Sequence, residues 1–143
     1  MKTPDDSFDP CWNTVAGSAL ILLVASLLPS PLRRHPEFSR FGPDKFLHFL
    51  GHAWLTVTLV DAFGTDRLDV GPAAVIAVLC SLVHGLLTGF LQQYVPGRVP
   101  ERADLVAGFV GSVGGVLGWW YVSEAKTTSH HREKDEGTPA ESA

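Results

Sequence analysis

The chain has 143 residues, of which 45% are hydrophobic, and a formal net charge of −4. Residues 1–11 and 124–143 together carry eight acidic and four basic residues, so these two ends account for the whole net charge and the body is neutral. This composition excludes a disordered protein and a protein with a basic, nucleic-acid-binding face. Two cysteines are too few for a disulfide framework.

The first apolar run extends from Trp12 to Leu28. A cleaved signal peptide would need a basic leader, whereas three aspartates and one lysine precede this run. We therefore predict a retained helix over residues 12–28, after a polar acidic tail over residues 1–11. A segment rich in proline and arginine follows, and we predict an ordered loop there over residues 29–44.

Three further apolar runs follow, and each predicts a helix with few or no charged residues. The predicted helices cover residues 45–63, 72–92 and 103–122. The last one ends in two tryptophans and a tyrosine, a cluster typical of the membrane–water interface. Residues 123–143 are polar, and we predict that they form a disordered, charged tail.

The four runs have about 17 to 20 residues each, close to the length that crosses a hydrocarbon core of about 30 Å. None shows the polar stripe of a water-soluble helix over most of its length. We predict an all-α integral membrane protein, a polytopic four-helix bundle over residues 12–122 with short loops, in the cell membrane. Both termini would lie on one side, and the basic residues divide six to five between the two sides, which leaves the orientation open.

Small residues recur at a spacing of four in the third and fourth predicted helices. The pairs are Gly85 with Gly89 and Gly111 with Gly115. Such faces allow helix backbones to approach closely in a membrane. We predict that the third and fourth helices are the closest pair and that these faces pack within one chain, with a homo-oligomer as the alternative.

Six polar residues are predicted to converge at one membrane face, because antiparallel packing brings together the start of the second helix, the end of the third and the start of the fourth. They are Asp44, Lys45, His48, Gln92, Arg98 and Asp104. Polar groups in a membrane are costly unless they face the bundle interior or water, so this cluster is a candidate ligand-binding site. Arg98 is the leading candidate for gripping a phosphate or carboxylate, because its planar guanidinium binds both bidentately. The alternative is a polar network that only ties the helix ends together.

Two further histidines, His52 and His84, lie deeper in the predicted helices. We predict that they are satisfied partners in hydrogen bonds between helices. The spacing of His48 and His52 alone does not indicate a metal site, and we predict neither a cofactor nor a catalytic residue.

Two motifs carry a resemblance to a known family. Residues 44–49, Asp-Lys-Phe-Leu-His-Phe, resemble the D-K-x-x-H-F opening of VanZ-like membrane proteins. Residues 92–98, Gln-Gln-Tyr-Val-Pro-Gly-Arg, followed by Asp104, resemble the second signature of that family. The resemblance covers residues 12–122 and implies a small polytopic membrane protein. The namesake of the family is associated with teicoplanin resistance, and most members have no established activity.

The chain departs from the family pattern at two positions. Gly89 stands where the family usually has Glu, and Gly108 stands where it usually has Asn. Any chemistry that needs a carboxylate or an amide at these positions is therefore in doubt. The six residues of the polar cluster match or adjoin the motifs and are intact.

Three functions remain open from the sequence. The favoured one is binding of an anionic lipid headgroup or a lipid-linked cell-envelope precursor, because Lys45, Gln92 and Arg98 offer cations and an amide without a candidate nucleophile. The resemblance links this function to glycopeptide resistance. The second is a membrane enzyme that acts on a lipid phosphate, with His48 as general base. The third is a non-catalytic assembly or scaffold protein.

Overall fold

A computed structural model describes residues 10–28, 42–65, 68–96 and 100–136. Within these ranges the chain forms four helices: α1 (Pro10–Leu27), α2 (Pro43–Thr65), α3 (Val70–Gln92) and α4 (Arg102–Glu136). The predicted all-α fold with four helices is therefore confirmed. Most of the predicted proline-rich loop, the N-terminal tail and Arg98 lie outside the described residues.

Three helices are long and apolar enough to cross a membrane. These segments are Asp44–Gly64, Val70–Gln92 and Arg102–Ala125. The apolar part of α1, Cys11–Leu27, is shorter. The lengths and composition thus suggest a membrane protein with three such helices and a fourth, shorter apolar helix beside them.

The distribution of side chains in α3 is reversed relative to a water-soluble helix. Its buried residues are small or polar: Ala73, Ala77, Ser81, Thr88 and Gln92. Its large apolar side chains point outward, and Val83 is 63% exposed. Large outward-facing apolar residues continue on the other helices, as at Leu117, which is 60% exposed. A surface of this kind suits lipid, because water would penalise so much exposed apolar area.

The most extensive helix pairing is between α2 and α4. A Cβ atom added at Gly111 would overlap the carbonyl oxygen of Phe49, and one added at Gly115 would lie 2.5 Å from the carbonyl oxygen of Ala53. These two glycines therefore let the backbone of α4 touch that of α2. The prediction that the third and fourth helices are the closest pair is wrong, because the spacing of small residues identifies a face of a helix but not its partner.

The two glycines predicted to pack α3 behave differently from each other. A Cβ atom added at Gly85 would lie 3.2 Å from Cε1 of His52 and 3.5 Å from Leu105, so Gly85 is a packing residue. A Cβ atom added at Gly89 would meet nothing within 4 Å. Gly89 is therefore not a packing residue, and this part of the prediction is wrong.

Helix α4 extends to Glu136, beyond its predicted end at residue 122. The prediction of a disordered tail is thus wrong for residues 123–136. No proline or glycine interrupts the sequence from Trp119 to Glu136. The change to polar residues ends the apolar segment but does not end the helix.

Hydrogen bonds from α3 hold α1 in place. Nε2 of His84 donates to the carbonyl oxygen of Ala19 at 3.1 Å. Nε2 of Gln92 donates to the carbonyl oxygen of Ser26, also at 3.1 Å. These contacts fix α1 through its backbone, so they do not depend on the side chains of α1.

Candidate ligand-binding cavity

A cavity of about 240 Å³ lies at the end of the bundle where α2 and α4 begin and α3 ends. Its polar lining residues include His48, Thr88, Gln92, Arg102 and Asp104. The large apolar side chains of Leu86, Phe90 and Leu105 also line it. The antiparallel order of the helices thus brings three helix ends together, and the described residues of the predicted polar cluster lie there.

Five of the six residues of the polar cluster are described, and they lie in or beside this cavity. His48, Gln92 and Asp104 line it directly. Lys45 and Asp44 lie next to it, through their contacts with Glu101 and with His48 and Asp104. The position of Arg98, the leading candidate for binding an anion, lies outside the described residues.

Lys45 is engaged in an ion pair. Its Nζ lies 3.0 Å from Oε2 of Glu101, and both side chains are partly buried. Glu101 also lines the cavity. The sequence did not single out this partner, because Glu101 precedes α4 and no helical periodicity relates it to α2. The pair clamps the start of α2 against the start of α4.

His48 and Asp104 face each other from α2 and α4. Nε2 of His48 lies 3.9 Å from Oδ2 of Asp104, which is too long for a hydrogen bond. The two side chains are only 8% and 11% exposed. Oδ1 of Asp104 is buried and has no hydrogen-bond partner among the described residues. The pair is thus close and buried but not directly bonded.

Asp44 completes a group of three with these two residues. One ligand atom from each of Asp44, His48 and Asp104 lies within 4.8 Å of the other two. Asp44 and His48 stand one helical turn apart on α2, as their spacing predicts. Asp104 joins them from α4, as the antiparallel order of the helices predicts.

The deeper histidines continue inward from the cavity. The rings of His48 and His52 are stacked with centroids 6.3 Å apart, and the ring of His84 meets that of His52 edge-on at 5.7 Å. Nδ1 of His52 is hydrogen-bonded to Oγ of Ser81 at 2.8 Å. The predicted role of His52 and His84 as hydrogen-bond partners between helices is confirmed, although Nδ1 of His84 is buried without a partner among the described residues.

A chain of hydroxyl groups orients His52. Oγ of Ser112 lies 2.9 Å from Oγ of Ser81 and 2.9 Å from the carbonyl oxygen of Gly108. Ser81 thus connects Nδ1 of His52 to the hydroxyl group of Ser112, and Ser112 in turn contacts the backbone of Gly108. This chain links α2, α3 and α4 in the buried centre of the bundle.

Glycines flank the ring of His52 on two sides. A Cβ atom added at Gly108 would lie 2.8 Å from Cδ2 of His52, closer than carbon atoms approach. Gly85 stands on the α3 side of the same ring. The glycine at position 108, where the VanZ-like pattern usually has Asn, thus makes room for the imidazole of His52.

Two polar residues at the cavity differ in their availability to a ligand. Gln92 already donates its amide to α1, as described above, so it acts first as a structural tie. Arg102 lines the cavity and is exposed, and no ion pair engages it among the described residues. Arg102 is therefore the available cation of the described cavity wall, a residue that the cluster predicted from the sequence did not include.

Comparison of the chain with family models, with curated proteins and with solved structures finds no match. The resemblance to VanZ-like proteins stays a prediction from the two motifs. The function is therefore inferred from the geometry of the cavity.

Proposed function

We propose that this chain is a multi-pass protein of the cell membrane that binds the phosphate-bearing headgroup of an anionic lipid or of a lipid-linked cell-envelope precursor. The observation that carries the proposal is the mixed lining of the cavity. Polar groups of α2, α3 and α4 and the apolar side chains of Leu86, Phe90 and Leu105 line the same space. A lipid combines the same two kinds of group, a charged headgroup and apolar chains.

The depth of the cavity supports a headgroup as its ligand. It lies where the apolar segments of α2 and α4 begin and where that of α3 ends. If these segments cross a bilayer, their ends lie near the boundary between the hydrocarbon core and the headgroups. Phe90 and Leu86 are exposed on the outer surface of α3, where an acyl chain would continue.

Cations at the cavity support an anionic ligand. Among the described residues no ion pair engages the guanidinium of Arg102, and its planar shape suits phosphate oxygens. Arg98, in the adjoining segment, is a second candidate from the sequence. Lys45 has a different role, because its ion pair with Glu101 holds the helix ends in register. The VanZ-like motifs and the proposed link to glycopeptide resistance are compatible with this function.

Native mass spectrometry tests the proposal with phosphatidylglycerol and with diacylglycerol, which has the same chains but no phosphate. We expect the chain to retain phosphatidylglycerol preferentially and Arg102→Gln to weaken that retention about tenfold, because a hydrogen bond to a charged group contributes about 1.5 kcal/mol or more. Arg132→Gln is the matched control, since it removes the same charge roughly 45 Å further along α4.

Equal retention of the two lipids, or equal retention of phosphatidylglycerol by the native chain and by Arg102→Gln, would overturn the proposal. Loss of retention in Arg132→Gln to the same degree would also count against it. That result would attribute binding to overall charge and not to the cavity.

A separate experiment tests how many helices cross the membrane. We propose that α1 is the fourth span, since its apolar part would extend about 26 Å and its backbone is bonded to α3. Single cysteines at Ser7, Ser39 and Ser129, in a chain with both native cysteines replaced by serine, are labelled in intact cells with an impermeant reagent. Four spans place Ser7 and Ser129 on one side and Ser39 on the other. Labelling of Ser7 and Ser39 from the same side would mean three spans.

A further inference from the structure

We propose that Asp44, His48 and Asp104 bind one divalent transition-metal ion, of the type of Mn²⁺ or Zn²⁺. The proposal rests on these three side chains and does not require that the cavity bind a lipid. All three belong to the polar cluster predicted from the sequence, which by itself did not indicate a metal site.

The arrangement suits a single ion. The three ligand atoms lie within 4.8 Å of one another. Bonds of about 2.0 to 2.2 Å from one ion to nitrogen and oxygen place such atoms within roughly 4 Å of each other, so small side-chain movements would complete the site. Asp44 and His48 project from one face of α2, and Asp104 opposes them from the first turn of α4.

The burial of His48 and Asp104 is the independent observation that points to a ligand. Both side chains are about nine-tenths buried, yet the contact between them is 3.9 Å long. Oδ1 of Asp104 has no partner among the described residues, and the ammonium group of Lys45 is held 3.0 Å from Glu101. A buried carboxylate oxygen without a hydrogen bond is costly. A cation between Asp104 and His48 would satisfy both.

The donor set indicates the class of ion. One imidazole nitrogen with two carboxylates favours Mn²⁺ or Zn²⁺, because Mg²⁺ and Ca²⁺ prefer all-oxygen surroundings. His48 and Asp104 also line the cavity. Coordination positions that the protein leaves open would therefore face the same space as Arg102. The further step, in which the ion meets a lipid phosphate, rests on the proposed function.

Isothermal titration calorimetry tests the site directly. The full chain is purified in dodecyl maltoside, which contains no phosphate, treated with EDTA, and titrated with Mn²⁺ and separately with Zn²⁺. We expect one ion per chain, with a dissociation constant that rises at least tenfold in Asp104→Asn and in His48→Gln. Asp69→Asn is the matched control, because it removes an exposed carboxylate before the start of α3, at the end of the bundle opposite the cavity, and it should leave the affinity unchanged.

Three results would overturn the metal site. They are no saturable binding of either ion, native affinity in Asp104→Asn or His48→Gln, and an equal loss in Asp69→Asn. Circular dichroism identifies a variant that fails to fold, in which case the other variant decides. The lipid test separates the two proposals. Lipid retention without metal binding refutes only the metal site, and metal binding without a preference for phosphatidylglycerol refutes only the lipid proposal.

Discussion

Glycines at the same helical spacing serve opposite purposes at the seam between α2 and α4 and at the cavity. At the seam, Gly111 and Gly115 let two backbones touch. At the cavity, Gly89 stands beside open space that no neighbouring helix fills. In a helix bundle, a small residue thus either lets two backbones touch or leaves a cavity that a ligand can occupy. Which of these occurs depends on the residues that surround it.

Substitutions at the seam, the contact between α2 and α4 at Gly111 and Gly115, should lower the free energy of unfolding more than any other substitution proposed here. Gly111→Ala places a Cβ atom against the carbonyl oxygen of Phe49, and because backbone atoms cannot turn away, the helices must separate. We expect a loss of about 3 kcal/mol in the free energy of unfolding, at the upper end for overpacking. Unfolding of the purified chain by sodium dodecyl sulfate measures it. Gly114→Ala, whose Cβ would meet the ring of Phe49 at 3.8 Å, is the control and should change little.

Substitutions beside the ring of His52 should have the next largest effect on the free energy of unfolding. Gly108→Ala puts a Cβ atom 2.8 Å from Cδ2 of His52, and the ring must move away from Ser81 to accept it. We expect a loss of about 1 to 3 kcal/mol in the free energy of unfolding. Gly89→Ala, in open space, should be neutral or stabilising by up to about 1 kcal/mol, because alanine is the better helix former. An equal loss of stability in Gly108→Ala and Gly89→Ala would contradict the account, in which Gly108 packs against His52 and Gly89 stands beside open space.

The hydrogen bonds of Ser81 and Ser112 should contribute less to the free energy of unfolding. Ser81→Ala removes the hydrogen bonds to His52 and Ser112. Polar contacts between membrane helices contribute about 0.6 kcal/mol on average and up to about 1.7, so we expect a loss in this range from the same unfolding measurement. Cys80→Ala changes the neighbouring, exposed residue and should have no measurable effect. A Ser81→Ala variant as stable as the native chain would show that these hydrogen bonds do not hold the three helices together.

Much of this fold could be predicted because the bilayer limits the alternatives. Long uncharged runs indicate helices, and antiparallel order then brings Asp44, His48, Gln92 and Asp104 to one end. The pairing of α2 with α4 could not be predicted, because Gly111 and Gly115 show only which face is small. The helical continuation to Glu136 does not follow from the hydropathy pattern, because polar sequence fits both a solvated helix and a disordered tail, and only the absence of proline and glycine favours the helix.

The described residues of the predicted polar cluster lie in or beside the cavity, but Arg102 and the contacts between these residues could not be predicted. Lys45 was expected to offer a cation, but it binds Glu101, a residue outside any helical pattern. Gln92 was expected to offer an amide to a ligand, but it donates to Ser26 of α1. Such contacts depend on which helices adjoin, and the spacing of residues along one helix carries no information about that.

The most direct test of the central claim fills the cavity without disturbing the seam. Gly89→Phe places a ring in the open space beside Gln92 and Asp104, and Gly118→Phe adds the same ring at a position on α4 that is also open. Native mass spectrometry then measures retention of phosphatidylglycerol by both variants, after circular dichroism has shown that they fold. We expect Gly89→Phe to lose the lipid and Gly118→Phe to retain it. Undiminished retention by a folded Gly89→Phe variant would show that the cavity is not the lipid-binding site.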